Sequence, residues 1–299
     1  MTDTTIRLGI IGTGLAVEKL HWPALTALGD RFSVTAFCDI DREHAEHFAS
    51  YSGASMEHWT DDYHQLLARD DVDAVLVSLP IPLQAEVPAH ALEAGKHVIC
   101  EKPPGPDEPD ARRLIAAAEA YPDRVLLIAE NYFYRDDVRW AKHLVENGEI
   151  GRVHMMAYRE AYQLVPREGG FSSTPWRWEA NYRGGPHLDG GVHHTAKIRM
   201  IMGDVARLSA ATQDANSTHG GPSDLVVTMT FVSDAIGTYA ATYPELAIPQ
   251  EPNEMRVYGT EGVLAVRDRR VELHRPGEMT VHEFPEQDGG YVGEVQNFH

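Results

Sequence analysis

The sequence predicts an α/β chain with two domains, a doubly wound parallel sheet followed by an α+β domain with a large, mostly antiparallel open-faced sheet. In the first half, short apolar runs alternate with helix-like segments, which is typical of strands buried on both faces. After about residue 150, successive runs alternate apolar and polar residues and are joined by turn residues, which predicts a meander with one open face. A chain of 299 residues is long enough for two such domains.

The elements of the first half follow a regular order. Buried-strand runs occupy 6–12, 33–39, 73–80, 97–101 and 125–130. Helix-like segments between them occupy 41–51, 61–69, 83–95 and 109–121. Asp41 and Asp61 are suited to N-cap positions, and Gly95 stands where a helix end favours a left-handed residue. These elements predict parallel strands joined by right-handed crossovers.

The second half changes in rhythm. Mixed alternation over 151–163 and an irregular stretch over 164–185 precede a helical segment over 192–203. Strand-like runs then occupy 206–213, 224–233, 237–244, 254–259, 262–267, 271–275 and 280–284. We therefore predict two domains, 1–130 and 131–299.

Composition excludes several classes of protein. The formal net charge of −19 disfavours nucleic acid and anionic membranes as partners. Cys38 and Cys100 lie singly in apolar runs, so we expect no disulfide framework and a cytoplasmic location. We find no secretory signal and no apolar run approaching the ~18 residues of a membrane span.

A glycine-rich turn follows the first predicted strand and opens a helix. In Gly12-Thr13-Gly14, the first glycine permits a tight turn, and the second lets a pyrophosphate approach backbone N–H groups. Asp39 closes the second strand, where a carboxylate accepts hydrogen bonds from the ribose hydroxyls of NAD and repels the 2′-phosphate of NADP. Asp39 could also cap the next helix, and the two roles are compatible. Val17 replaces the third glycine of the fingerprint, which implies wider helix–strand packing.

Glu101 and Lys102 stand at the carboxyl end of the fourth strand, before Pro103. Ligands of open α/β sheets bind beyond such strand ends, although a surface Lys–Glu pair is the alternative. The remaining candidate cofactor-binding residues lie in the loops after strands, namely Leu15, Ser78, Pro80 and Asn131.

The stretch GGPHLDGGVHH (184–194) carries three histidines and one aspartate. We expect Asp189 and His193 to share one face of a single helical start, because they are four residues apart. His194 then points about 100° away, so the adjacent histidines do not converge on one ion, and we predict no metal site. For His194 itself we expect a buried, hydrogen-bonded histidine.

The ordered set of motifs resembles the glucose–fructose oxidoreductase / inositol dehydrogenase (Gfo/Idh/MocA) family. The motifs are the GTG loop, Asp39, Glu101-Lys102-Pro103, Glu130-Asn131, Trp176-Arg177 and Asp189-x-Gly191-x-His193. The resemblance implies a dinucleotide-binding Rossmann domain over 1–130 and a substrate-binding and oligomerisation domain over 131–299. It also implies a nicotinamide cofactor, a sugar or polyol substrate, and catalytic roles for the residues that match the family's lysine, aspartate and histidine, namely Lys102, Asp189 and His193.

The chain departs from the family pattern at three positions. Gln84 stands where many members have histidine, Pro104 where leucine is usual, and Ala196 where an aspartate is frequent. The last change removes a polar group near the substrate and puts the substrate's identity in doubt. In relatives a further helix begins near residues 291–299, so we expect the chain to continue beyond His299.

Oxidation of an alcohol releases a hydride to the nicotinamide and a proton to a side chain. Histidine suits the proton because its ordinary pKa is ~6.5. We therefore expect His193 to be the acid/base, Lys102 to position the oxygen and relay the proton, and Asp189 to orient both. Lys102 and His193 could exchange roles. The candidate substrate-binding residues are Arg135, Trp176, Arg177 and His194, with Tyr132 and Tyr182 as further pocket residues or domain-interface packing.

The leading interpretation is an NAD-dependent oxidoreductase acting on CH–OH groups. One alternative is a catalytically inactive, cofactor-binding and sugar-sensing regulatory protein. Another is a different reaction on the same fold, such as imine reduction, dehalogenation or NAD-assisted glycosidic cleavage. Because an open sheet face needs a cover, we also expect a homodimer or homotetramer formed through it.

Overall fold

The computed structural model describes residues 5–178, 183–216, 220–247 and 253–299, and the chain divides into two compact units. The first unit comprises Met1–Glu130 together with Tyr291–His299, and the second comprises Asn131–Gly290. The last nine residues thus group with the first unit, whereas the sequence analysis placed them with the second domain.

The first unit is built on a six-stranded sheet in the order β3-β2-β1-β4-β5-β6, in which every pair is parallel. The strands are β1 (Ile6–Ile11), β2 (Phe32–Cys38), β3 (Trp59–Thr60), β4 (Ala74–Val77), β5 (His97–Glu101) and β6 (Leu126–Ala129). This is the predicted doubly wound sheet, and β1 lies where the strand order changes direction. The two-residue strand β3 was not predicted because it is too short to show a periodic pattern.

The helices of this unit are α1 (Trp22–Ala27), α2 (Arg42–Ser52), α3 (Tyr63–Leu67), α4 (Glu86–Glu93), α5 (Glu108–Ala120) and, at the end of the chain, α9 (Tyr291–Phe298). Asp41 caps α2, because its carboxylate accepts the N–H of Glu43, as predicted. The cap of α3 is Asp62 and not the predicted Asp61. Gly95 adopts the predicted left-handed conformation, with φ of +79°.

The core of the first unit explains where the terminal helix belongs. Val295 and Phe298 of α9 are buried in the same apolar cluster as Phe37 and Phe48 of the parallel sheet and its covering helix. Since an apolar helix face must be buried against another element, the spacing of these two side chains fixes α9 to this unit.

The second unit contains an eight-stranded sheet in the order β14-β13-β12-β11-β7-β10-β9-β8. The strands are β7 (Val153–Ala161), β8 (Val205–Gln213), β9 (Asp224–Phe231), β10 (Ile236–Thr242), β11 (Glu254–Gly259), β12 (Val263–Arg267), β13 (Arg270–Arg275) and β14 (Glu278–Glu283). All neighbours are antiparallel except β7 and β10. The mostly antiparallel sheet was predicted, but the central position of β7 was not.

Among its described residues, the second unit has three α-helices, α6 (Asp136–Glu146), α7 (Gly185–Asp189) and α8 (Gly191–Met202). In β10 the buried residues Gly237, Tyr239 and Ala241 alternate with more exposed ones, so one face of the sheet is covered and the other is open. The core lies on the covered face, where α6 and α8 pack against each other and α6 packs on β12 and β13. The open face confirms the sequence-based expectation.

Candidate active site

The candidate residues of the first unit collect at one edge of its sheet. Ile11 at the end of β1 pairs with Cys38 of β2 and with Val77 of β4, and Val77 pairs with Cys100 of β5. Because these strands are parallel, the segments that follow them leave the sheet side by side. The glycine loop, Asp39, Ser78, Pro80 and Glu101-Lys102 all begin at this edge.

Gly12 occupies a position that only glycine fits. Its φ is +87°, and a Cβ atom there would lie 2.2 Å from the carbonyl oxygen of Ser78. Its N–H donates to the carbonyl of Cys38 at 2.8 Å, which fixes the loop to the end of β2. The backbone carbonyl of Ser78 therefore packs directly against the glycine loop.

Gly14 has different surroundings. A Cβ atom at Gly14 would meet nothing within 4 Å, so the absent side chain leaves open space beside the loop. Leu15 then begins the helical segment that follows. Open space in front of a helix start is the feature that a pyrophosphate requires, and the residues present therefore fit a dinucleotide.

Asp39 is tied to the glycine loop. Its Oδ2 accepts hydrogen bonds from the N–H and the hydroxyl of Thr13 at 2.8 and 2.9 Å. Its Oδ1 accepts the N–H of Asp41 at 2.9 Å, just before α2. The carboxylate thus supports the backbone next to α2, as the capping role predicted, and it also lies beside the glycine loop. A position beside the loop suits a group that binds ribose.

Glu101 and Lys102 follow β5. Glu101 is buried, its Oε2 accepts the N–H of Lys102 at 3.0 Å, and its Oε1 lies 2.6 Å from Nε2 of His21. The Lys102–Pro103 peptide bond is cis. His21 was not predicted as a site residue, because one histidine inside a helical segment carries no distinguishing pattern.

The departure at Gln84 has a structural role. Its amide donates to the carbonyl of Leu79 at 2.7 Å, and the thiol of Cys100 lies 3.3 Å from its Oε1. Burial raises the pKa of Cys100 well above the ordinary value and that of Cys38 to about 12, so both thiols stay protonated at neutral pH. Pro80 precedes the short turn Ile81–Leu83 beside this contact.

Asn131 is the one candidate cofactor residue that belongs to the second unit. Its side chain is buried, and Nδ2 donates to the carbonyl of Gly289 at 2.7 Å. Asn131 therefore holds the segment that precedes α9.

His193 lies in the first turn of α8 and stacks on Tyr132. The two rings are 4.8 Å apart at an angle of 15°. The guanidinium of Arg135 lies over the same tyrosine ring at 4.7 Å and pairs with Asp137 at 3.0 and 2.6 Å and with Asp268 at 2.5 Å. Burial by itself lowers the pKa of Arg135, but the hydrogen bonds that the guanidinium donates to Asp137, together with the charge of that carboxylate, outweigh it and raise the pKa above the ordinary value.

Asp189 and His193 do not lie on one helix, so this part of the prediction is wrong. Asp189 is the last residue of α7, and α8 begins at Gly191 after Gly190. Glycine weakens helix propagation, and the two successive glycines allow the break. His193 donates its N–H to the carbonyl of Gly190 at 3.3 Å, which places it directly after that break.

Arg177 holds the Asp189 carboxylate. Nε of Arg177 lies 2.6 Å from Oδ2 of Asp189, and Nη1 donates to the hydroxyl of Thr174 at 2.6 Å and the carbonyl of Phe171 at 3.1 Å. The guanidinium also lies 4.2 Å from the ring centre of Trp176. The candidate substrate residues Trp176 and Arg177 thus form one packed group around Asp189.

His194 is buried, as expected. Its Nδ1 lies 2.7 Å from the hydroxyl of Tyr239. Burial, together with the charges of His193, Lys197 and His187, lowers the pKa of His194 to about 3. His194 is therefore neutral across the physiological range and does not exchange protons there.

A further buried cation, Lys197, lies one helical turn after His193. Its Nζ is 4.9 Å from the ring centre of Tyr158, and Tyr158 donates its hydroxyl to Glu160 at 2.9 Å. Burial, only partly offset by the carboxylates of Asp137 and Glu160, lowers the pKa of Lys197 to about 8. The spacing of four residues from His193 was a usable signal, because residues i and i+4 share a helix face.

Tyr182, considered as a pocket residue, lies outside the described residues. In the described ranges no three His, Cys, Asp or Glu side chains approach closely enough to hold a metal ion. Across those same ranges no helix is both long and apolar enough to cross a bilayer.

The chain matches two family models. Residues 6–128 match the model described as "Oxidoreductase family, NAD-binding Rossmann fold", and residues 138–265 match the "GFO/IDH/MocA C-terminal domain". The sequence is 34% identical over 200 residues to a dTDP-3,4-didehydro-2,6-dideoxy-alpha-D-glucose 3-reductase from Actinomadura kijaniata. That match covers 66% of this chain and 56% of the reductase, so the chain spans less than two thirds of the length of that relative.

Solved structures extend the likeness to nearly the whole chain. An oxidoreductase from Thermotoga maritima is 32% identical with a TM-score of 0.89, and the match covers 99% of this chain and 87% of that one. A 3-ketoreductase from Actinomadura kijaniata, solved with NADP and TDP-benzene, is 26% identical with a TM-score of 0.82 over 99% of this chain and 89% of that one. From these matches and the fold, the chain belongs to the GFO/IDH/MocA family of oxidoreductases with an NAD-binding Rossmann domain.

Proposed function

We propose that the protein transfers a hydride between NAD and a sugar, polyol or related hydroxyl or carbonyl compound. The observation that carries the proposal is the strand edge of the first unit, where the glycine loop, Asp39 and Lys102 begin side by side. A cofactor loop, a ribose-binding carboxylate and an ammonium group are the parts that nicotinamide-linked alcohol oxidation needs. The likeness to a reductase that acts on a dTDP-linked deoxysugar supports a sugar-type substrate.

The preference for NAD over NADP is inferred from Asp39. A carboxylate beside the glycine loop repels the 2′-phosphate of NADP and accepts hydrogen bonds from the free ribose hydroxyls of NAD. Because Asp39 also holds Thr13, a substitution there affects the loop as well as the choice of cofactor. Asp39→Asn keeps the size of the side chain but removes its charge. We therefore expect this substitution to lower the ratio of the NADP dissociation constant to the NAD dissociation constant.

The residues that handle the proton are proposed from their chemistry. Bound NAD supplies the hydride acceptor. His193 is the acid/base of the adjacent histidine pair, since the buried neutral His194 is unsuited to that role. Lys102 positions the substrate oxygen and relays the proton, and Asp189, held by Arg177, orients these groups. Arg135, Trp176 and Arg177 contribute to substrate binding mainly by fixing neighbouring groups.

The function is tested by a substrate screen. The purified protein is mixed with NAD or NADP and a panel of sugars, polyols, sugar lactones and imines, and the absorbance of the reduced nicotinamide is followed. We expect turnover with a sugar or polyol and higher kcat/KM with NAD. Tight NADH binding without turnover on any compound would contradict the proposal and favour a sugar-sensing protein.

We also propose a homodimer or homotetramer that covers the open sheet face. Val226 and Ile236 are 53% and 55% exposed, on neighbouring strands of that face. Apolar side chains on a broad sheet face favour a protein partner, and a second copy is the simplest one.

The two free, buried thiols agree with a cytoplasmic location.

A further inference from the structure

His21 connects the helix after the glycine loop to the strand end that carries Lys102. Its side chain has no exposed surface, and Nε2 lies 2.6 Å from Oε1 of Glu101. The other carboxylate oxygen of Glu101 accepts the backbone N–H of Lys102 at 3.0 Å. Two hydrogen bonds through one buried carboxylate therefore lead from the imidazole to the Lys102 backbone.

The partners determine which ring nitrogen carries the proton. An ionised carboxylate only accepts hydrogen bonds, so Nε2 is the protonated nitrogen of the imidazole that faces Glu101. Nδ1 is buried, and among the described residues it has no hydrogen-bond partner. Because all the polar interactions of the imidazole are directed at Glu101, His21 is suited to holding that carboxylate.

The local backbone fixes where the imidazole lies. Val17–His21 forms a π-helical turn between the glycine loop and α1. Pro23 follows it, and proline lacks the N–H of a regular helical bond and collides with the carbonyl four residues earlier. The wider turn adds one residue before α1, and such turns are frequent at functional sites. His21 is thus carried by the same helical segment that begins at Leu15, directly after the glycine loop.

We propose that His21 is a positioning residue for Lys102, acting through Glu101. The inference rests on the proposed function, because it assumes that Lys102 acts on the substrate. Without His21 the buried Oε1 of Glu101 loses the donor that lies 2.6 Å from it, and losing a hydrogen bond to a buried charge is costly. Glu101 then turns away or becomes protonated, and the Lys102 backbone loses the acceptor that fixes it. The segment that binds the pyrophosphate and the strand end that carries the lysine are joined by this pair.

The test uses two substitutions of His21. His21→Gln places an amide N–H near the former Nε2, whereas His21→Leu keeps an apolar side chain of similar bulk without a donor. For His21→Leu we expect kcat to fall by about 10²-fold, since a misplacement of about 1 Å costs that much, with substrate KM and NADH affinity changing far less. His21→Gln should recover most of the lost kcat.

A second readout reports the Lys102 hydrogen bond itself. An amide proton bonded to a carboxylate resonates downfield, so the Lys102 amide signal in the full-length protein should move upfield in His21→Leu and stay in His21→Gln. Glu101→Gln should also move this signal and lower kcat, because His21 and the Lys102 N–H bond different oxygens of Glu101, and glutamine has an NH₂ group, which only donates, in place of one of them.

Leu66→Ala is the matched control. Leu66 is a fully buried residue of α3, so its truncation lowers stability without touching the pair, and kcat should stay near the wild-type value. The inference would be overturned if His21→Leu had the same kcat as Leu66→Ala. It would also be overturned if the Lys102 amide signal did not move in His21→Leu. Lys102→Ala separates the two claims: if it keeps turnover, the role proposed for Lys102 in the reaction is wrong, and if it is inactive while His21→Leu matches the control, only the positioning role is wrong.

Discussion

At the scale of single residues, the two glycines of the cofactor loop have different reasons to be glycine. Gly12 is required by the fold, because its φ is +87° and its missing side chain leaves room for the carbonyl of Ser78. Gly14 is not required by the fold, since a methyl group there would meet open space. We therefore propose that glycine serves here to let a ligand approach the loop backbone.

Alanine substitutions should separate these two roles. Gly12→Ala should lower the free energy of unfolding by more than about 1 kcal/mol, because alanine is strained at positive φ and collides with Ser78. Gly14→Ala should leave the unfolding of the protein without cofactor within about 1 kcal/mol of wild type but weaken NADH binding by about tenfold or more. Denaturant unfolding and NADH fluorescence titration measure the two effects. Unchanged NADH affinity in Gly14→Ala would contradict pyrophosphate binding at this loop.

Most candidate residues could be predicted from the sequence, but their hydrogen-bond and ion-pair partners could not. Gly12, Asp39 and Lys102 were found because each follows a recognisable buried strand. The hydrogen bond between His21 and Glu101 joins residues 80 positions apart, so no local pattern reveals it. The pairing of Arg177 with Asp189 was missed for a related reason, since it crosses an irregular stretch without periodicity.

At the scale of elements, three of the polar side chains of α8 lie against aromatic rings in different surroundings. His193 stacks on Tyr132, His194 bonds Tyr239, and Lys197 lies over Tyr158. The buried lysine is costly to the fold, because burial disfavours its charged form. Packing alone would therefore favour an apolar side chain at the position of Lys197.

The cost of this lysine should appear in the pH dependence of stability. Its pKa is lowered from 10.5 to about 8 in the folded chain, so between these values the unfolded chain binds more protons. Raising the pH through this window therefore favours folding, by about 2 kcal/mol between pH 8 and pH 10. In Lys197→Met this contribution should be absent, and Lys142→Met, at a half-exposed site of α6, should behave as wild type. Denaturant unfolding at several pH values measures this contribution to the free energy of unfolding. The prediction is contradicted if the free energy changes with pH by the same amount in wild type and in Lys197→Met.

Elements with a regular pattern were predicted best. The five strands of the first half and the meander of the second half were found from apolar runs and period-two alternation. The strand β7 was predicted only as mixed alternation, because apolar residues occupy both of its faces: Met156 and Tyr158 are buried on one face, and Met155 and Ala157 are partly exposed on the other. Helix α6 fell in the segment read as the domain boundary, and its polar first turn, Asp136 and Asp137, concealed its apolar face.

At the scale of the whole molecule, one face of the eight-stranded sheet has no covering layer in the described part of the chain. One face of β9 and β10 is buried under helices, and the other presents Val226, Ile236 and several threonines. The alternation of apolar and polar residues predicted the open face. The partner that covers this face could not be predicted from the pattern of any one strand, because the face is formed by side chains from several strands.

The oligomer should therefore dissociate when a charge is placed on this face. Ile236→Glu buries a carboxylate in the proposed interface, so it should shift the mass in solution toward the monomer. Light scattering after size exclusion, at several concentrations, measures the mass. Ile115→Glu is the control, because Ile115 is equally exposed, at 55%, but lies on α5 of the first unit. A wild-type protein that is monomeric at all concentrations would contradict the proposed assembly.

The central claim is that Lys102 and His193 handle the proton of an NAD-linked hydride transfer. Single-turnover hydride transfer, followed by nicotinamide fluorescence with the best substrate of the screen, tests this claim most directly in Lys102→Ala and His193→Ala. We predict that each variant binds NADH as wild type does and transfers hydride at least about 10²-fold more slowly, which is the usual contribution of general acid–base catalysis. Rates close to wild type in either variant would contradict the account.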